Sequence, residues 1–556
     1  MKDQLIREKF ASFYEEIDIT VFTVGVALTT LLTVFLAFRS ETAANTIESV
    51  NGFLTSNFGW YFQGLVFFLA IFFLFVLFGP WGKIKLGKPD ESPEFSYPAY
   101  LAMVYAATFA AGLVFWGAAE TLYHYQTVPP MSGAEAQSAG AMISAMQYTL
   151  FHWGISPWVG HLIIAVPLAL YVHKHDVPLK PSSVFAPFLG ADNLDKSWLK
   201  IVDVIAVVAA AGGATVTVGL AAQQFITGLS YNYGIAIGDI GIITLITGLT
   251  VGYTASAMVG IEKGIKRLSI FNIFLLLFML AAIFVFSPVA TIFNLAAEGI
   301  AGYISNFVGM SLYVGAVGDQ SWVSAWTIFY WAWWISFAPM TGIFVARISH
   351  GRTIRQVVFA TMVAGTAATF PWFITVGGFA LVLQHTGQVP LLSALSEHGV
   401  AVSMYPILEQ LPGGEVLIPL FMLLVFTFLV TTIDSATVSL AIFTTEEGTL
   451  DPSVGNRFVW GLIIGLLTSL LLIIGGVQIL QQFTIIAGFP IAVLGLFSFI
   501  GFVVQLEKTS PILLTREEDW DIAQDIPDYL PFGSVTHEKT NESVTNESID
   551  MSPDED

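Results

Sequence analysis

Fourteen tryptophans are spread unevenly along this 556-residue chain, and five of them fall between Ser321 and Pro339, which reads SWVSAWTIFYWAWWISFAP. Trp326, Tyr330, Trp333 and Phe337 recur at i, i+4, i+7 and i+11, one stripe of a helix. Trp334 then points about 100° away from Trp333. A second group, Trp153, Trp158 and His161, spans offsets of five and eight, within roughly a 140° arc of one helix. Pro157 is expected to distort that helix beside them. Electron-rich ring faces attract a permanent cation by about 0.5–2 kcal/mol each when desolvated. Several such walls suit a trimethylammonium group, which they hold without trapping. Packing and interfacial anchoring are the commoner uses of any single ring; the density of rings in one segment favours the binding wall.

Acidic groups inside apolar segments are the next place to look, because burial in lipid is costly. Glu120, Asp203 and Asp434 are the candidates. Asp434 lies in Thr431-Thr432-Ile433-Asp434-Ser435, where adjacent hydroxyls offer the hard oxygen ligands a small alkali cation prefers. The competing reading is that these hydroxyls bond back to their own helix or bridge to a neighbour. Small residues form a third feature: Thr108-Phe109-Ala110-Ala111-Gly112, Gly212-Gly213 and Gly219 permit close helix approach or local unwinding. Catalysis finds no support. His152 and His161 are nine apart with no carboxylate near them in sequence, no metalloprotease, serine-hydrolase or nucleotide-binding pattern occurs, and cysteine is absent.

The elements that must position these residues are membrane-spanning helices. The chain is 55% hydrophobic and only 11% charged, with mean hydropathy +0.74, against roughly a quarter charged in soluble proteins. About twelve apolar runs reach bilayer length: 17–38, 59–80, 97–118, 146–172, 201–228, 237–257, 268–288, 323–346, 356–384, 415–442, 458–476 and 482–505. Placed on that scheme, every one of the 21 Lys and Arg residues except Arg39 lies on one face. The positive-inside rule makes that face cytoplasmic and puts both termini there. The first run is too long for a signal-peptide core and reads as a true span. Residues 287–312 are less apolar, and fit either a helix lying along the outer interface or an ordinary outer loop. Net charge is −20; from Glu507 onward there are 14 acidic and 3 basic residues, a net of −11, in a tail (507–556) expected to be disordered.

Trp326 to Thr353, WTIFYWAWWISFAPMTGIFVARISHGRT, resembles the signature of the betaine/carnitine/choline transporters. Supporting matches, in family order, are Phe115-Trp116-Gly117 with Glu120, the run from His152 to Trp158, Lys263-Gly264-Ile265-Lys266 with Leu268-Ser269, and Thr431 to Ser435. The resemblance covers about residues 60 to 480. It implies an all-α polytopic membrane protein of twelve helices, with helices 1–2 peripheral and helices 3–7 and 8–12 forming two inverted five-helix repeats. It also implies a homotrimer. By position, Trp153, Trp158, His161 and Trp334 would line a central box, with Trp333 and Phe337 on the outer approach. Thr431 and Thr432 would give hydroxyls to a sodium ion, completed by carbonyls near Ala106 and Phe109. The sequence departs from the family's pattern at His161, where Tyr is typical, at Phe337, where Trp is typical, and in the third helix, which reads TFAAG instead of alternating Gly. Its tail is acidic where osmosensing members have basic tails.

The expectation is therefore a plasma-membrane carrier of a prokaryote, importing glycine betaine or a related quaternary-ammonium osmolyte by sodium symport, with no other cofactor. Sodium-independent or proton-coupled choline or carnitine transport or exchange is the nearest alternative. A membrane osmolyte sensor is the alternative from another class.

Overall fold

The computed structural model describes residues 13–106, 110–258, 262–318, 320–446 and 452–510. The tail from 511 and Phe109 lie outside them. Among the described residues, helices dominate and the only β pairing is two isolated bridges, Ile17 with Thr445 and Lys85 with Thr353.

In chain order the main helices are α1 (Ile19–Phe38), α2 (Ser40–Phe78), α3 (Tyr97–Ala106), α4 (Ala110–Gln126), α5 (Ala139–His152), α6 (Ile155–His175), α7 (Lys200–Tyr233), α8 (Asp239–Met258), α9 (Glu262–Phe286) and α10 (Val289–Ser305). They continue with α11 (Ser321–Ser336), α12 (Ala338–Ile348), α13 (Ile354–His385), α14 (Gly414–Phe443) and α15 (Val454–Thr509). By length and composition, eight helices among the described residues can cross a membrane, or nine with the bent α11–α12 pair. α15 has non-helical backbone at Gly475 and Gly476, so its 56 residues are two arms, matching the expected runs 458–476 and 482–505. Gly476 has φ +57°, a conformation that glycine adopts without steric cost.

The distribution of apolar side chains is that of a protein solvated by lipid. Peripheral helices expose large apolar residues, among them Leu31 and Phe38 on α1 and Phe274 and Val285 on α9, a pattern a monomeric soluble protein avoids. By contrast α6 is buried without a gap from Ser156 to Tyr171. A helix apolar on all sides and covered on all sides is the centre of the bundle.

Several sequence expectations need correction. The second run extends much further back, because helix α2 begins at Ser40, directly after α1. The fourth run is two helices, parted at Trp153 and Gly154 and not at Pro157. Pro157 is the third residue of α6, where its missing N–H costs nothing. The eighth run bends by 47° between Ser336 and Ala338. Of the two readings left open for the segment after Ser287, the helix is the one found: α10, with Ile292, Leu295, Ala296, Gly299 and Tyr303 buried along one face. Loops on the basic side are tied by Arg352, whose guanidinium stacks 4.1 Å from the Tyr100 ring centroid and donates to the Phe95 carbonyl.

Candidate functional site

The break between α5 and α6 builds the first part of the site. Ending a helix leaves carbonyls and N–H groups without helical partners. Here the Trp153 carbonyl accepts from Thr369 Oγ1 of α13 at 3.0 Å, and the Ile155 N–H donates to the Tyr303 hydroxyl of α10 at 3.2 Å. With both loose ends held from neighbouring helices, Trp153 is fixed at the centre of the bundle.

Four of the expected residues meet there. Trp334 of α11 lies 4.8 Å from Trp158, 5.8 Å from Trp153 and 5.1 Å from His161, measured between ring centroids. Its planes with the two indoles cross at 66° and 74°, the edge-to-face arrangement aromatic rings prefer. All four side chains are fully buried. Trp158 is backed by Gly365, and Trp153 by Phe373, whose ring centroid is 4.4 Å away. Both backing residues sit on α13, and Phe373 opens a π-helical turn, Phe373–Gly377. Such turns often mark functional sites. His161 Nδ1 is 2.8 Å from Thr341 Oγ1 on α12.

Trp333 stands edge-on to Trp153, with ring centroids 6.3 Å apart. Trp333 Nε1 donates to Thr217 Oγ1 of α7 at 3.2 Å, and its ring stacks on Phe329. Phe337 sits at the α11–α12 bend, over Gly213 of α7, whose missing side chain makes the room. The sequence-derived divergence of Trp333 and Trp334 is thus realised on the same helix.

The sequence reading missed the most polar part of this region. His152 does have a carboxylate partner, contrary to expectation: Glu120, on α4, lies 2.7 Å from His152 Nδ1 through its Oε1. The same oxygen is 3.2 Å from His124 Nε2. Oε2 accepts from Trp153 Nε1 at 2.7 Å and from the Tyr330 hydroxyl. His152 Nε2 reaches Thr327 Oγ1 at 3.0 Å. Glu120, His124 and His152 are completely buried. Glu120 and His124 stand at i and i+4, a spacing visible in the sequence; the 32-residue gap to His152 is closed only by folding.

Of the expected sodium ligands, Thr431 Oγ1 lies 3.1 Å from both the Thr427 and Phe428 carbonyls of its own helix, and it accepts from Asn272 Nδ2 of α9 at 3.3 Å. This is the helix-bonded arrangement weighed in the sequence, and it leaves the oxygen a lone pair for a cation. Thr432 is half-buried on the same turn. Ala106 ends α3, and Phe109 lies outside the described residues.

Central aromatic walls in a lipid-solvated helical bundle define a membrane carrier, and comparison with known proteins specifies which kind. Residues 20–511 match the model of the betaine/carnitine/choline family transporters, and the chain belongs to that family. It is 36% identical over 491 residues to the glycine betaine transporter OpuD of Bacillus subtilis, covering 88% of this chain and 94% of that protein. A probable glycine betaine transporter of Desulfitobacterium hafniense is 34% identical, covering 88% and 98%. An ectoine/hydroxyectoine transporter of Virgibacillus pantothenticus is 33% identical, covering 88% and 96%. The protein is a multi-pass membrane transporter and not an enzyme.

Proposed function

We propose that this transporter imports glycine betaine or a closely related quaternary-ammonium osmolyte, by sodium symport with alternating access. The observation that carries this reading is the meeting of Trp153, Trp158 and Trp334 around one point, with centroid separations from Trp334 of 4.8 and 5.8 Å. A permanent cation cannot donate a hydrogen bond from its methyl-capped nitrogen, so ring faces are the chemistry that recognises it, at about 0.5–2 kcal/mol per ring. Trp334 touches both of the other rings, so a trimethylammonium group enters between them only if one of the rings moves. A site that closes when its walls collapse together suits alternating access. Similarity to two relatives described as glycine betaine transporters, one of them as a probable one, supports the same cargo.

Sodium is the coupling ion of this reading, held by Thr431 and Thr432 with backbone carbonyls near Ala106 and Phe109. Its entry contributes about 2.3 kcal/mol per charge per 100 mV of membrane potential, added to its own gradient. We place the protein in a prokaryotic plasma membrane as a homotrimer with both termini cytoplasmic.

Uptake of labelled glycine betaine into proteoliposomes tests this reading, with and without an imposed sodium gradient and against choline, carnitine and ectoine as competitors. Accumulation against a gradient, dependent on sodium, is the expected result. Uptake indifferent to sodium assigns the protein to exchange or proton coupling, and binding without accumulation makes it a sensor.

A further inference from the structure

Glu120 is a carboxylate placed where lipid-embedded proteins rarely tolerate one. It sits one residue layer behind the aromatic walls, and its two oxygens face different ways. Oε2 takes the indole N–H of Trp153 at 2.7 Å and the Tyr330 hydroxyl. Oε1 takes the two imidazoles, His152 at 2.7 Å and His124 at 3.2 Å. These groups come from α4, from the end of α5 and the break that follows it, and from α11. Thr327, one turn before Tyr330, closes the circuit through His152 Nε2.

An indole has a single N–H, and once that bond is made the ring can no longer turn about its own axis. Trp153 needs such a restraint more than its neighbours, because it stands at a helix end, in the break between α5 and α6. Phe373 supports one side of the ring, and the bond to Glu120 fixes its edge. Tyr330 stands 5.6 Å from Trp153 and is held by the same oxygen, so a single atom sets two rings from two helices.

We infer that Glu120 is the positioning residue of the aromatic site: its Oε2 sets the orientation of the Trp153 wall, while His152 and His124 hold the carboxylate in place. This rests on the reading that Trp153 walls the cargo site. A group acting through hydrogen-bond geometry should be replaceable by an isostere that keeps the acceptor. Glutamine provides it, with its amide oxygen toward Trp153 and Tyr330 and its NH2 toward the imidazoles, which can accept in the complementary tautomer.

The test uses the full chain in proteoliposomes, with labelled glycine betaine. Glu120→Ala should raise KM by about tenfold or more, as expected for loss of hydrogen bonds to a charged group, with kcat changed less. Glu120→Gln should return KM to within about threefold of the wild type, the residue of a neutral for a charged acceptor. Trp153→Phe keeps a ring but removes the N–H; it should raise KM by itself, and adding Glu120→Ala to it should raise KM no further. Should Glu120→Ala not be recovered folded, Trp153→Phe and Glu120→Gln decide, because the Gln substitution should then have no effect in the Phe background. Equal damage from Ala and Gln, additive KM effects, or a loss confined to kcat would overturn the inference. So would stoichiometric zinc in the purified wild type that disappears in Glu120→Gln, because Glu120, His124 and His152 bring three ligand atoms within 4.8 Å of one another and would then be a metal site. A wild type that neither binds nor transports glycine betaine refutes the cargo assignment instead, whereas a transporting wild type without this KM pattern refutes only the role of Glu120.

Discussion

The indole of Trp158 packs directly on Gly365: a Cβ on that glycine would lie 2.6 Å from the nearest ring atom. No real side chain approaches so closely, and the neighbour is a buried ring and not the end of a flexible side chain. Gly365→Ala must displace Trp158 or the α13 backbone. Overpacking of this kind costs about 1–3 kcal/mol. We predict a measurable drop in thermal stability in detergent together with loss of betaine affinity. A variant with wild-type affinity would mean that Trp158 is not a wall of the site.

Trp334 touches each of the other three rings of the box, Trp153, Trp158 and His161. Trp334→Leu removes the ring face while keeping an apolar side chain. Uptake should be abolished through lost cation–π attraction and lost alignment of the other rings. Trp334→Phe should retain part of the affinity, since a smaller ring still presents a face. Equilibrium binding of labelled betaine to both variants separates these outcomes; Leu binding as well as wild type would remove Trp334 from the site.

Thr432→Ala deletes one of the paired hydroxyls on α14 without touching the Asn272–Thr431 hydrogen bond. Sodium activation of uptake should shift to higher sodium concentration, with betaine affinity at saturating sodium little changed. An unchanged sodium curve would place the ion elsewhere.

His161 gives a prediction about selectivity. Thr341 Oγ1 lies 3.0 Å from the Phe337 carbonyl and 2.8 Å from His161 Nδ1. In the tautomer whose Nδ1 donates to that hydroxyl, Nε2 is an acceptor. Glycine betaine has no N–H to offer it. N,N-dimethylglycine, with one methyl replaced by N–H, does. His161→Phe should weaken dimethylglycine relative to betaine by about tenfold. Competition curves measured on both proteins check this, and an unaltered ratio of the two would reject it.

Features set by local periodicity were legible before folding. The apolar runs pointed to long apolar helices, eight or nine of which among the described residues can cross a membrane, because a spanning helix must hide its backbone from lipid along its whole length. The divergence of Trp333 and Trp334 by about 100° followed from helical phase, and in the structure Trp333 reaches Thr217 while Trp334 reaches Trp158. The break in α15 also fell where the apolar runs part, because Gly475-Gly476 is a local signal. Other boundaries misled. Pro157 drew attention as a distortion, yet a proline in the first turn of a helix is harmless, and the chain had already broken at Trp153 and Gly154.

The sequence by itself determined the class of protein, the apolar character of its long helices and the rings available for a cation, since each depends on composition or on spacing within one helix. Only the tertiary structure decided that Glu120 meets His152 and Trp153, that Gly365 and Phe373 back the walls, and that His161 bonds to Thr341. These partners lie on separate helices, and one-dimensional spacing holds no record of which faces pack together. Packing in the bundle brings them to hydrogen-bonding and van der Waals distance, and those distances set the site's chemistry.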